Sequence, residues 1–398
     1  MLPSTPPFDR AVSAALCAIL RAVLRAVPRL SSLGAMMCLA LACSQEPVAA
    51  PIQLAEDAEP LTDWALPGAV GEPAILSVPT YEGTGQAVHP DMVVFPNAWN
   101  GARYWMAMTP YPGSNSMFEN PSVLNSADGL ELAIPPGVKN PIVKPINQPD
   151  YNSDPDLVYD VVRHELVLSY RVVKDGRNTI KIITSADGVR WSEARVAFSE
   201  KNHSAISQSI VVPAHAPATA WYVDAGSRGC SAVTTRVMMR RSSGTAASVA
   251  QSDWGPAVET DMAVPGYNVW HLKVRYVPSK HEYWALIVAY PQDGRGCGAD
   301  DLFLGQSRDG VRWTVLPRPL MRHEERPWTE GALYRGTFAY DTSVDQIAIW
   351  FSARGNDERW QLGFVRLDYS DLVARLAQPP ASRATMPNVP RPIWTSAP

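Results

Sequence analysis

The sequence predicts an all-β fold, a five-bladed β-propeller whose ring is closed by an N-terminal strand. Three observations carry that prediction. A Ser-x-Asp-Gly turn recurs as "NSADGLEL" from Asn125, "TSADGVRW" from Thr184 and "QSRDGVRW" from Gln306, at spacings of 59 and 122 residues, one and two repeat lengths. Ahead of each copy runs an aromatic-bearing strand pattern, and ahead of that a second apolar run. Thirty-six prolines, 25 glycines and 13 tryptophans suit short strands joined by shaped loops.

A degenerate copy ending in "SDW" at Trp254 fills the gap between the second and third turns, and "LYRG" followed by "QIAIWFSAR" marks a fifth unit. Five all-β units of 50–60 residues are what a propeller requires, since radial packing leaves only short, protected edges. A two-domain β-sandwich would not produce such even spacing. The fifth unit lacks an obvious outer strand, and "PAILSVP" (residues 73–79) is the natural donor to complete it. The propeller is therefore expected over residues 73–377. In the repeated turns, Asp and Gly serve the hairpin and Trp191 and Trp313 wedge between blades.

Residues 1–42 read as a secretory leader. Arg21, Arg25 and Arg29 precede an apolar run, Leu33 to Cys43, too short to span a bilayer. Its end, "LALAC", resembles a bacterial lipobox, which implies lipidation of Cys43 and an exported protein anchored to the cell envelope; Ser44 next to it implies the outer membrane of a two-membrane host. Ordinary secretion without lipid is the alternative. Residues 43–72 are expected to form a flexible tether and the Pro-rich residues 378–398 a disordered tail. The net charge is −4, and losing the leader's excess of three positive charges leaves about −7. Nothing in that balance suggests a nucleic-acid partner. Cys230 and Cys297, in the similar loops "AGSRGCSA" and "DGRGCGAD", are expected to pair in an oxidising compartment; two free thiols are the alternative.

Candidate functional residues emerge from aligning the five inner strands. One channel-facing slot holds His89, Asp154, Ser207, His271 and Glu330, and the next holds Asp91, Asp156, Ser209, Lys273 and Ala332. Nine polar side chains out of ten, on strands otherwise apolar, predict a polar ring at the channel mouth. Arg171 is expected at its rim, with the loop aromatics Trp99 and Tyr111 placed to stack on sugar rings.

"SDPDLVYD", the Ser-x-Asp-Gly turns and "WTEGALYRG" resemble the five-bladed glycosidases of families 43 and 32, over about residues 86–368. The resemblance implies hydrolysis of glycosidic bonds in an oligo- or polysaccharide by paired carboxyl groups. On that pattern Glu330 is the acid, Asp154 orients substrate or tunes the acid, and Asp91 is the base; Asp156, His89, His271 and Arg171 complete the pocket. The chain departs from the pattern in carrying His89 where those enzymes have Asp, in having no acid in blade three, and in bringing its Glu in blade five. The rival reading is a non-catalytic glycan-binding or scaffold lipoprotein on the same fold. Sialidases, which also carry Asp-Gly turns, would need three converging arginines from among Arg103, Arg171, Arg275, Arg335 and Arg354. No motif calls for a cofactor; a channel cation such as calcium is left open, with its ligands unassigned.

Overall fold

The computed structural model describes residues 66–378, apart from 67, 69, 72, 215, 244–248, 250, 251 and 295. The leader, Cys43, the tether up to residue 65 and the tail beyond 378 lie outside the described residues. The strands are β1 (Ala74–Leu76), β2 (Ala87–Trp99), β3 (Ala102–Pro110), β4 (Ser122–Ser126), β5 (Tyr151–Asp160), β6 (Glu165–Lys174), β7 (Arg177–Ser185), β8 (Arg195–Lys201), β9 (Ile206–Val211) and β10 (Thr219–Asp224). They continue as β11 (Arg236–Arg241), β12 (Val258–Glu259), β13 (Tyr267–Val277), β14 (Glu282–Pro291), β15 (Asp301–Ser307), β16 (Thr314–Val315), β17 (Ala332–Asp341), β18 (Gln346–Arg354) and β19 (Trp360–Asp368). A helix, α1 (Tyr369–Leu376), follows.

These strands form five antiparallel sheets, β2–β4, β5–β8, β9–β12, β13–β16 and β17–β19, one per repeat unit. β1 completes the fifth sheet by pairing with β19, Ile75 opposite Gly363, so the ring closes through the predicted N-terminal donor. β2, β5, β9, β13 and β17 are innermost.

The repeated turns act as inter-blade wedges. In each, the Ser hydroxyl (Ser126, Ser185, Ser307) accepts the N–H of the turn glycine at 2.8 Å, and the Asp carboxylate caps the two N–H groups that follow. The glycine then meets a tryptophan from the middle strand of the preceding blade. Trp221 Nε1 donates to Gly310 O at 2.7 Å and Trp350 Nε1 to Gly129 O at 2.9 Å. At Gly188 a Cβ would lie 2.3 Å from Trp105, and φ is +74°, so only glycine fits. Trp105, Trp221 and Trp350, all fully buried, thus act as wedges beside the half-buried Trp191 and the buried Trp313 expected in that role.

Cys230 and Cys297 form a disulfide. It joins the β10–β11 loop of blade three to the β14–β15 loop of blade four.

Candidate functional site

An innermost strand has one edge with no neighbouring strand, so its backbone N–H groups need other partners. Here channel-facing side chains of four of the five blades supply one to the next blade, blade four being the exception. In the lower slot, Asp91 accepts from Leu157 N at 2.9 Å, Asp156 from Ile210 N at 2.9 Å, Ser209 from Val274 N at 3.0 Å and Thr337 from Met92 N at 3.4 Å. In the upper slot, Asp154 accepts from Ser207 N at 2.9 Å and Ser207 from Leu272 N at 3.0 Å. His89, Asp154 and Ser207 sit at φ +56°, +48° and +50°, a left-handed kink repeated in three successive blades. Pro90 and Pro155, which have no N–H to satisfy, follow the first two of these residues.

The lower slot is a closed ion cluster. Lys273, with no solvent exposure, donates to Asp91 Oδ2 at 2.6 Å and Asp156 Oδ1 at 2.7 Å. Arg335 reaches Asp156 Oδ1 at 3.0 Å, and Arg275 reaches Asp91 Oδ1 at 3.2 Å. Burial works against ionised Asp91, but Lys273, Arg275 and Arg335 outweigh it and hold its carboxyl below the usual range. Burial and the adjacent Asp91 together keep Asp156 above it, despite Lys273. The lone pairs of Asp91 that a base would need are already committed to these partners.

Blade five differs from the sequence alignment. Its slot residues are Arg335 and Thr337, not Glu330 and Ala332: Thr337 accepts from Met92 N and Arg335 reaches Asp156, so β17 enters the channel five residues later than the alignment on its apolar run placed it. Glu330 lies ahead of β17, exposed and hydrogen-bonded to Asn356 at 2.6 Å.

Above the cluster, His89, Asp154 and His271 converge, each at most 1% exposed, with one potential ligand atom apiece within 4.8 Å of one another. Arg171 Nε lies 2.8 Å from Asp154 Oδ2. Burial alone would raise the Asp154 pKa; Arg171, then His89, His271 and Arg335, pull it far below the carboxylate range instead. Burial pushes His89 down to about 3, against the attraction of Asp154, and His271 well below its ordinary value. Both imidazoles are therefore neutral. His89 Nδ1 is engaged by Thr109 Oγ1 at 2.9 Å, while Nε2 lies 3.1 Å from Asp154 Oδ1 without hydrogen-bond alignment. In the tautomer that donates Nδ1–H to Thr109, a nitrogen lone pair faces a carboxylate oxygen. Neither ring nitrogen of His271 has a hydrogen-bond partner. One unpaired nitrogen from each histidine and one Asp154 oxygen, converging within 4.8 Å, form the donor set of a cation site.

Around this centre stand residues that sequence reasoning missed. Glu119, 4% exposed in the β3–β4 loop, lies 3.7 Å from His89 Nδ1, and Ser153 Oγ bridges it to Asp154. Burial, reinforced by Asp154, pushes the Glu119 carboxyl well above its usual range. Tyr334 packs on His271 with ring centroids 4.1 Å apart, and burial keeps its hydroxyl protonated. Glu119 sits in an irregular loop with no periodicity to mark it, whereas Tyr334 was hidden by the misplaced alignment of the fifth inner strand.

Among the predicted binding residues, Tyr111 joins this group, 5.7 Å from Trp360 and close enough to Glu119 for that charge to help raise its pKa, after burial itself. Trp99 does not. It ends β2 at the far mouth, stacked on Phe95 and edge-on to Trp105.

No protein-family model matches the chain. An A type blood N-acetyl-α-D-galactosamine deacetylase of Flavonifractor plautii is 26% identical over 320 residues, covering 68% of this chain. The chain spans about 40% of the length of that relative. The crystal structure of an N-acetylgalactosamine deacetylase from F. plautii, in complex with blood group B trisaccharide, superposes with a TM-score of 0.69 at 22% identity, over 77% of this chain and 97% of that one. A thermostable family-43 glycoside hydrolase superposes with a TM-score of 0.51 at 10% identity, over 76% of this chain and 92% of that one. Its relatives are carbohydrate-active propellers. The expected likeness to family 43 thus holds for the fold, while the sequence stands nearer a deacetylase.

Proposed function

We propose that this protein is an exported, lipid-anchored hydrolase that removes the N-acetyl group from an amino sugar within an oligo- or polysaccharide. The observation that carries this reading is the buried convergence of His89, Asp154 and His271 with nitrogens left unpaired. Those residues would hold a divalent cation, His89 with its second nitrogen oriented by Thr109 and Asp154 with its charge fixed by Arg171. A cation bound there supplies Lewis acidity toward the acyl oxygen and toward water. Glu119, protonated beside it, delivers a proton to the nitrogen as the C–N bond breaks and water's oxygen joins the acyl carbon, and the proton that the water gives up returns to Glu119. Tyr334 donates from its hydroxyl to the substrate, and Tyr111 and Trp360 offer faces to the sugar ring. The similarity to the F. plautii deacetylase supports the choice of substrate class.

Glycosidic cleavage is the second reading, favoured by the opposed protonation of Glu119 and Asp154, which provides one acid and one carboxylate. In that case Glu119 replaces Glu330 as the acid.

One experiment separates them. The purified protein is incubated with N-acetylgalactosamine- and N-acetylglucosamine-containing oligosaccharides, with and without chelator, and free acetate and released sugars are both quantified. Acetate release that chelation and Glu119→Gln abolish supports the deacetylase reading. Sugar release resistant to chelation supports the glycosidase. Bound glycan with neither product leaves a binding module.

A further inference from the structure

The inner strands run from the site toward a second mouth, where their far ends form a cup of about 630 Å³. That size is in the range of small-molecule sites. Its walls are valine-rich, with Val161 and Val162 at the lip each 51% exposed. The ion cluster lies behind the base of the cup: Lys273 and Arg275 are among its lining residues, the side chain of Arg275 partly exposed and that of Lys273 buried.

The charges there do not cancel. Lys273, Arg275 and Arg335 bring three positive charges against the two carboxylates of Asp91 and Asp156. Arg275 carries the excess on the side of the cup. Its Nη2 is committed to Asp91, Thr337 and Met92 O, whereas Nη1 has no hydrogen-bond acceptor among the described residues and Nε is buried without one. Its side chain is 24% exposed. A guanidinium edge at the bottom of an apolar cup is a site for a molecule with one anionic end and one apolar end.

We infer that this cup binds an amphiphilic monocarboxylate, a medium-length alkyl acid, with its carboxylate on Arg275 and its chain against Val162 and the neighbouring valines. The site is separate from the His89–Asp154–His271 centre, at the other end of the channel.

Isothermal titration of the purified full chain with decanoate, octanoate and decanol, each below its micelle threshold, tests it. Decanoate should bind, and octanoate should bind about 15-fold more weakly, since each methylene contributes about fourfold. Decanol should bind at least about tenfold more weakly than decanoate, having lost the charged hydrogen bond. Val162→Glu, a change at a half-exposed lip position, should weaken decanoate about tenfold or more while leaving the melting temperature nearly unchanged. No heat with decanoate, equal affinity for decanol, or unchanged decanoate binding to Val162→Glu would each overturn the inference.

Discussion

Replacing Lys273 by Met should destabilise the propeller severely at neutral pH and much less in acid. The ammonium is the shared partner of Asp91 and Asp156, at 2.6 and 2.7 Å, with no solvent exposure on any of the three side chains. Methionine matches the volume but leaves two buried carboxylates with only Arg335 and Arg275 as cationic partners. Breaking a buried pair from one side costs about 3–5 kcal/mol. For roughly 310 ordered residues the unfolding entropy near the midpoint is about 0.65 kcal/mol per degree, so the melting temperature should fall by about 5–8 °C. The sign with pH follows from the carboxylates. Without Lys273 their folded-state pKa values rise above the unfolded value of about 4, so the penalty is present above that pH and fades as pH falls through it. Scanning calorimetry of wild type and variant at pH 7 and pH 4 reads both effects. A variant melting within a degree of wild type at pH 7 would refute the closed cluster and return Asp91 and Asp156 to the solvent-facing role that the sequence suggested.

Gly310→Ala should cost about 2–4 kcal/mol in denaturant unfolding, because its Cβ would lie 2.7 Å from Trp221 at φ +76°. Removing the disulfide through Cys230→Ser with Cys297→Ser should lower stability by about 2–4 kcal/mol, read in the same assay with the wild type reduced as a control. Asp300 is buried with Oδ1 unpaired, and burial, then Asp301, raises its pKa well above normal. The stability associated with its neutral form is present below the unfolded carboxylate pKa and is lost as pH rises toward the folded one. Asp300→Asn should therefore flatten the decline in melting temperature between pH 4 and 8 and leave the pH 4 value nearly unchanged; a decline as steep as wild type would count against this.

The ring was legible because its signals are periodic. The Asp-Gly turns at Asp128, Asp187 and Asp309 count blades by spacing alone, and an unpartnered apolar triplet at Ala74–Leu76 had one vacancy to fill. The polar slots were readable where the apolar runs aligned the inner strands correctly, each with the same irregularity at the slot, and this delivered His89, Asp154 and His271 to one place. That logic failed in β17, where the alignment on the apolar run fell five residues short, so that Arg335 and Thr337 hold the positions assigned to Glu330 and Ala332. It could not reach Glu119 at all, since a carboxyl in an irregular loop is found only by folding the loop. The opening acid pair of β5 also divides: Asp154 belongs to the candidate site, whereas Asp156 is neutralised from within the protein and caps the neighbouring blade.

The clasp between β1 and β19 also sets an order of events during synthesis. The first ring strand to be made pairs with the last, so β1 waits through the production of nearly the whole domain before a partner exists. Until then β19, once formed, presents a bare hydrogen-bonding edge that any copy of Ala74–Leu76 can occupy, including one from another molecule. Two half-finished rings can thus exchange latches and leave as an interlocked pair, most readily at high local concentration, and the three-residue length of that latch limits how firmly such a pair holds.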